Sequence, residues 1–327
     1  MHAITFFFCN PITNSIEGHA AGAGVSSRRR TVVSTSLAEN KRTNPALQIS
    51  DDELIVVKEK TLRHLFQKMG SVIVAYSGGV DSSYVAFVAT SELGENALCI
   101  TGDSASLPSA QRRIVEDLSR QFGFHQEAIE THELDDSNYT ANNGNRCYFC
   151  KDELYTKLVE LARERQVRFI VDGSTCDDID DYRPGRVAAA EHGVRSPLIE
   201  AGMNKAEVRA LSQKAGLPTW DQPASPCLSS RLAYGLPVTI ARLSEVDRGE
   251  QILRDLGFRE FRVRHHDNLV RIEIARSEME RALNLIVIDD LAQRFRELGF
   301  KYVTFDLNGY RSGAMNEALD GRAENSL

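Results

Sequence analysis

Between the hydrophobic run Val72-Ile73-Val74-Ala75-Tyr76 and the helix-like run Tyr84-Val85-Ala86-Phe87-Val88 lies Ser77-Gly78-Gly79-Val80-Asp81-Ser82-Ser83. A strand that ends in small residues and opens into a helix aims backbone N–H groups, and the positive helix end, at one spot, which suits an anion. Gly78 and Gly79 let the backbone approach a ligand closely, and the hydroxyls of Ser77, Ser82 and Ser83 can add hydrogen bonds. The bland alternative is a tight turn with no ligand. Two glycines, an aspartate and three serines at the C-terminal end of a strand, where open α/β sheets bind ligands, weigh against it. No G-x-x-x-x-G-K-[ST] string occurs in the chain, so the lysine that reaches terminal phosphates in that motif is missing. The segment predicts a nucleotide held by its phosphates for chemistry other than transfer of the terminal phosphate.

A second set of residues is thiol. Cys147-Tyr148-Phe149-Cys150 is a C-x-x-C at a helix start, flanked by Arg146 and Lys151, and such cations favour thiolates. Cys227 lies in the turn-rich stretch Pro223-Ala224-Ser225-Pro226-Cys227-Leu228-Ser229-Ser230-Arg231, which a folded sheet could bring over the nucleotide site. A lone C-x-x-C falls short of the four ligands of zinc. Three thiolates could hold three irons of a four-iron four-sulfur cluster and leave the fourth open to an external sulfide. The six cysteines of so long a chain read as thiols of a reducing compartment, not as disulfide staples. Cys99 reads as a buried inert thiol, Cys9 falls in an N-terminal extension, and Cys176 receives no role.

These residues need a frame. Apolar runs near 71–76, 97–101, 126–129 and 169–171 read as strands, separated by helices at 108–122 and 151–165 and preceded by a helical pattern from Leu54 to Met69. Strands alternating with helices predict a parallel sheet, with ligand residues on the loops after strand ends: Gly102-Asp103-Ser104, Asp172-Gly173-Ser174 and Asp177-Asp178. Beyond Tyr234-Gly235-Leu236-Pro237 the pattern changes to a helix at 239–256, paired strands at 260–264 and 269–274, a helix at 277–298 and a strand at 301–306. The expected division is a disordered or targeting extension over 1–45, an α/β domain over 46–235 and a smaller α+β domain over 236–327. The extension is rich in Arg and Ser and poor in acids, as transit peptides are. No run approaches the roughly 20 apolar residues that span a bilayer, which predicts a cytoplasmic or organellar enzyme with no membrane partner. The formal charge of -7 weighs against a nucleic-acid surface, although a basic patch of Arg259, Arg262, Arg264, His265 and His266 could bind one phosphorylated ligand.

The loop Ser77–Ser83 resembles the SGGxDS motif of the ATP pyrophosphatase superfamily, the PP-loop enzymes, which adenylate an oxygen of their substrate and release pyrophosphate. More specific segments run from about residue 55 to 318: Arg146-Cys147-Tyr148-Phe149-Cys150-Lys151, Asp177-Asp178 to Asp181-Tyr182-Arg183-Pro184-Gly185, Arg195-Ser196-Pro197-Leu198, Leu217 to Pro223, Cys227-Leu228-Ser229-Ser230-Arg231, Arg262-Val263-Arg264-His265-His266 and Gly309-Tyr310-Arg311-Ser312-Gly313. Together they resemble the LarE family, ATP-dependent sulfur transferases that build the nickel-pincer nucleotide cofactor of lactate racemase. The resemblance implies adenylation of the carboxylates of pyridinium-3,5-biscarboxylic acid mononucleotide and their conversion to thiocarboxylates.

By the same resemblance, Ser77, Gly78, Gly79, Asp81, Ser82, Ser83, Asp103, Gly173 and Asp178 contact ATP, and Asp81 holds magnesium, with Asp178 next in line. Ser230, Arg231, Arg262, Arg264 and Glu250 surround the substrate phosphate. Residues 262 and 264 share one strand face, and arginine forks match phosphate oxygens. Two chemistries are known in the family: Cys227 surrenders its own sulfur, or Cys147, Cys150 and Cys227 hold a 4Fe-4S cluster that delivers sulfide. The presence of all three thiols favours the cluster. Family members commonly form homo-oligomers. The rival readings are another PP-loop enzyme, a tRNA thiolase or an NAD- or GMP-synthetase-like ligase, and a nonenzymatic nucleotide-binding or iron-sulfur carrier.

Overall fold

The computed structural model describes residues 51–179 and 184–311. The N-terminal extension, Asp181-Tyr182-Arg183 and Ser312-Gly313 lie outside them. Strands β1 (Val72–Ala75), β2 (Ala97–Asp103), β3 (His125–Glu130) and β4 (Phe169–Val171) form a parallel sheet in the order β3-β2-β1-β4. Strands covered on both faces need continuous apolar runs, and residues 72–74 and 97–101 are buried. The period of two divides β1 between two cores. Val72 and Val74 pack with Leu62, Phe66, Tyr84 and Val85, while Ile73 meets Tyr155 and Leu158 of the helix Arg146–Glu164 on the other face. The edge strand β3 has no fully buried residue along His125-Gln126-Glu127-Ala128-Ile129-Glu130 and carries three charged or ionisable side chains, as suits a sheet margin.

The connections from β1 to β2 and from β3 to β4 run in opposite directions across the sheet. The strand order therefore reverses between β1 and β4, which is where an open α/β sheet forms a ligand crevice. The ends of these two strands deliver the Ser77–Ser83 loop and the Asp172–Asp178 loop to one place.

A second sheet contains β5 (Phe261–His266), β6 (Leu269–Ile274) and β7 (Tyr302–Phe305), with β5 and β6 antiparallel and β6 and β7 parallel. Asp267, at φ 59°, turns the β5–β6 hairpin. The helix Ile240–Asp255 supplies Leu243, Val246 and Leu253 to a core with Val263, Val270, Ile272 and Phe295. Tyr139, Leu228 and Leu232 join that core from earlier in the chain, and both sheets lie in one compact unit. The helix expected over 277–298 is broken. A 3-10 turn, Arg276–Glu278, leads into Met279–Ala282, and a new helix, Leu285–Glu297, begins where the Asn284 side chain accepts from the Ile286 N–H at 2.9 Å. An asparagine that satisfies an orphan N–H starts a helix more readily than it continues one. Among the described residues no helix is long and apolar enough to cross a membrane.

Two glycines are required by this packing. Gly78 has φ 71°, and a Cβ there would lie 2.7 Å from Gln111 Nε2 and 2.8 Å from a Val115 methyl. Gly173 brings the β4 loop so close to the helix Val80–Leu93 that a Cβ would meet the Ser82 nitrogen at 2.8 Å and the Asp81 carbonyl carbon at 3.0 Å. Gly79 is different: its φ is -73°, and its nearest neighbour would be Ser77 Oγ at 3.5 Å. We expect Gly78→Ala and Gly173→Ala each to cost about 1–3 kcal/mol, and Gly79→Ala to stay within about 1 kcal/mol of the parent. Urea-unfolding midpoints of the three variants check this order.

Candidate functional site

The phosphate-loop segment is braced by its own hydroxyls and by a neighbouring helix. Ser82 Oγ accepts from the Ser77 N–H at 3.3 Å, lies 3.0 Å from Ser77 Oγ and donates to the Gly79 carbonyl at 3.2 Å. The Ser82 hydroxyl, read from sequence as a ligand contact, is thus engaged inside the loop, and Ser83 is fully buried. Gln111, buried on the helix Ser109–Phe122, donates to the Ser77 carbonyl at 2.9 Å. Asp81 is the second residue of the helix Val80–Leu93. Its Oδ2 lies 3.4 Å from Lys205 Nζ, and its Oδ1 is buried without a hydrogen-bond partner. Burial pushes the Asp81 carboxyl above its usual range, Lys205 works against that shift, and Asp178 adds to it.

The other strand-end acids have structural partners. Asp178 closes a capping box, accepting from the Thr175 N–H at 2.9 Å and its hydroxyl at 3.1 Å. Asp177 accepts from the Lys205 N–H at 2.6 Å. Asp172 takes the hydroxyls of Ser174 at 2.8 Å and Ser196 at 2.7 Å. Asp103 pairs with Arg112 and lines a surface depression with Ser104, Ala105 and Glu130.

The thiols come from two elements. Cys147 and Cys150 stand three residues apart on the first turn of Arg146–Glu164, and Cys227 precedes the 3-10 turn Leu228–Arg231. The Cys227 loop is fastened on several sides. Leu228 N–H donates to the Ser106 carbonyl at 2.8 Å, Arg146 Nη1 donates to the Ser229 carbonyl at 2.9 Å, and Arg231 Nη1 donates to the Cys227 carbonyl at 3.1 Å. Burial pushes the Cys150 thiol up, and nearby Cys227 adds to the shift against Lys151, whereas Cys147 stands exposed at the helix start. At Cys150 the desolvation of the charged form outweighs the attraction of Lys151. Among the described residues no group of three or more His, Cys, Asp or Glu side chains could hold a single metal ion. A cluster makes a different demand, one thiolate at each of three separate irons. Cys99 is the inert thiol expected, pushed up by burial to about 12.

The arginines form a buried network where the sequence suggested a basic surface patch. Arg231, 1% exposed, donates through Nε to Glu250 Oε1 at 2.9 Å, and its Nη1 bonds the Pro226 carbonyl and Ser230 Oγ as well as Cys227. Arg262 donates to the carbonyls of Phe261 and Ala224 and to Tyr310 Oη. Arg264 donates to Glu273 at 2.9 Å and to the Ser230 carbonyl at 3.2 Å, while its Nε is buried with no partner. His265 bonds Glu245 at 2.7 Å. Of the proposed patch only Arg259 is largely exposed, because β5 is covered on both faces.

Glu250 is buried as well. Burial alone would raise its carboxyl, but Arg231, with Arg262 and Arg254, holds it below the usual range. Glu273, Gln111 and Lys205 were not singled out from sequence. Glu273 had one signal, an acid within a strand otherwise rich in Val and Ile; the others had none, since their partners are distant in the chain. Because the Glu250 pKa is depressed on folding, its stabilisation is complete above about pH 4.3, the unfolded value, and is lost as pH falls through the lower folded value. Glu250→Gln should cost about 3–5 kcal/mol at pH 7, with the gap to wild type closing in acid. Urea-unfolding midpoints across pH 3–7 check this.

No family model matches the chain. The chain is 45% identical over 80% of its length to an uncharacterised protein of Synechocystis, of which 98% is covered. It is 35% identical to the pyridinium-3,5-bisthiocarboxylic acid mononucleotide synthase of Lactiplantibacillus plantarum, over 81% of this chain and 96% of the synthase. A probable tRNA sulfurtransferase of Methanobrevibacter smithii is 23% identical over 67% of this chain and 60% of its own length. With the synthase matched along nearly its whole length, and with the parallel sheet and phosphate loop in place, this chain belongs to the LarE family of ATP-dependent sulfurtransferases, relatives of the PP-loop enzymes.

Proposed function

We propose that this protein uses ATP to adenylate the carboxylates of pyridinium-3,5-biscarboxylic acid mononucleotide, releases pyrophosphate, and transfers sulfur to the activated carbonyls to give thiocarboxylates. One observation carries this reading. The Cys227 loop is bonded on one side to Ser106, in the loop after β2, and on the other to Arg231 of the arginine network, an arrangement that supports sulfur transfer next to the phosphate-loop sheet. A carboxylate is a poor electrophile, and an acyl adenylate gives it a good leaving group. The loop N–H groups and the start of the helix Val80–Leu93 stabilise negative charge on the departing pyrophosphate. Asp81 is the residue to hold magnesium, which would offset the same charge.

Cys147, Cys150 and Cys227 would each contribute one thiolate to a 4Fe-4S cluster, whose chemistry is delivery of sulfide to the activated carbonyl. Arg264 suits the ribose phosphate of the substrate, because an incoming phosphate oxygen would satisfy its buried Nε, with Ser230 and Arg262 beside it. A second reading, surrender of sulfur by Cys227 itself, draws support from the raised thiol of Cys150, where burial disfavours a thiolate.

Anaerobically purified protein distinguishes the two. The cluster reading expects bound iron and sulfide, more than one thiocarboxylate per chain, and an unchanged protein mass after turnover. Cys147→Ala and Cys150→Ala should then lose repeated turnover while retaining substrate-dependent pyrophosphate release. A chain lighter by one hydrogen sulfide, with no iron bound, would establish sacrifice of Cys227. Wild-type protein that releases no pyrophosphate from ATP in the presence of the biscarboxylate would sink the adenylation reading altogether.

A further inference from the structure

Within the arginine network, Arg262 is the member that no carboxylate holds. Arg231 pairs with Glu250, and Arg264 and Arg271 share Glu273. Arg262 is only 6% exposed, yet its partners among the described residues are all neutral: the carbonyls of Phe261 and Ala224, and Tyr310. Burial, and then the Arg231 cation, push its guanidinium below the usual arginine range. Tyr310 is brought to it by the margin of the second sheet. The Tyr310 N–H donates to the Ile274 carbonyl at 3.0 Å, and Ile274 pairs across the hairpin with Phe261, next to Arg262. Gly309, at φ 75°, lets the chain press against that same carbonyl, which a Cβ would approach to 2.8 Å. The Arg262 Cζ then lies over the Tyr310 ring, 4.7 Å from its centroid, and Nη2 donates to Tyr310 Oη at 3.3 Å.

We propose that Tyr310 is a positioning residue that sets specificity for a phosphorylated substrate: its ring holds Arg262 in place without neutralising it, which keeps the charge for the ribose phosphate. The inference deepens the proposed function and rests on the reading of the arginine network as the phosphate site. A carboxylate in the same position would fix the guanidinium but cancel its charge, as Glu250 does for Arg231. The face of an aromatic ring attracts a cation through its quadrupole and carries no net charge. A phosphate entering beside Arg262 would therefore meet an uncompensated cation in a desolvated setting, where attraction is stronger than in water.

Titration calorimetry of the full chain with the biscarboxylate mononucleotide, and separately with its dephosphorylated nucleoside, reads the preference for phosphate as a ratio of affinities. Tyr310→Leu removes both ring and hydroxyl and should lower that ratio about five- to thirtyfold, through weaker mononucleotide binding alone. Tyr310→Phe keeps the ring and should stay within about threefold of wild type. Tyr310→Glu supplies the missing carboxylate and should lower the ratio about tenfold or more, although the guanidinium is still held; it decides the question if the Leu variant does not fold. A wild-type ratio in Tyr310→Leu or Tyr310→Glu, equal weakening for both ligands, or a Phe variant as impaired as Leu would overturn the proposal. So would a wild-type chain that binds the nucleoside as tightly as the mononucleotide. Tight mononucleotide binding by a wild-type chain that releases no pyrophosphate from ATP would overturn the adenylation reading instead and leave the role of Tyr310 standing.

Discussion

The buried ion pair between Arg231 and Glu250 is the constraint on which the rest of the site depends. A guanidinium removed from water must have its donors satisfied, and desolvation makes each missing partner costly. Arg231 meets this demand with Glu250 on one side and with the carbonyls of Pro226 and Cys227 and the hydroxyl of Ser230 on the other. The charge that must be neutralised thereby fixes the backbone of the loop carrying Cys227 against the helix Ile240–Asp255.

From that pair the network spreads in two directions. Arg264 links the same loop to Glu273 in β6, and Arg271 grips the second oxygen of Glu273 at 3.1 Å, so this part of the arginine network is built on a hairpin. In the other direction, Asp247 of the Ile240–Asp255 helix accepts from the Ser109 N–H at 3.1 Å, and Gln111 on that Ser109 helix holds the Ser77 carbonyl. A continuous chain of bonded groups thus runs from the arginine network to the phosphate-loop segment. Such bracing suits the proposed transfer of sulfur to an activated carboxylate, because misplacement of about 1 Å between reacting groups costs about a hundredfold in rate.

The thiols show how burial and charge compete in such a site. Arg146 and Lys151 would favour thiolates at an open helix end. Here Arg146 is itself 4% exposed and spends donors on Asn142 and Ser229, so it acts chiefly as a brace for the Cys227 loop. Burial raises the Cys150 thiol, whereas Cys147 stands exposed at the start of the same helix. A cluster that replaces the Cys150 proton with iron would turn the same desolvation into retention, since the bound metal removes the cost of the thiolate charge.

How much of this was legible depended on the range of the interaction. The phosphate-loop segment, the parallel sheet and the helical spacing of Cys147 and Cys150 follow from local backbone preferences and apolar periodicity, which act within a few residues and can be read from the string. Family membership followed from the motifs distributed along it. Charge partnership could not be read in this way. Lys205 meets Asp81, Gln111 meets Ser77, and Arg231 meets Glu250 only because helices and strands pack in one arrangement, and burial converted an expected basic surface into an internal ion-pair network. Sequence by itself determined which chemical groups this protein carries and which backbone shapes present them. Tertiary structure alone decided which charges meet and how far each is removed from water, because desolvation and Coulomb attraction depend on distance in space.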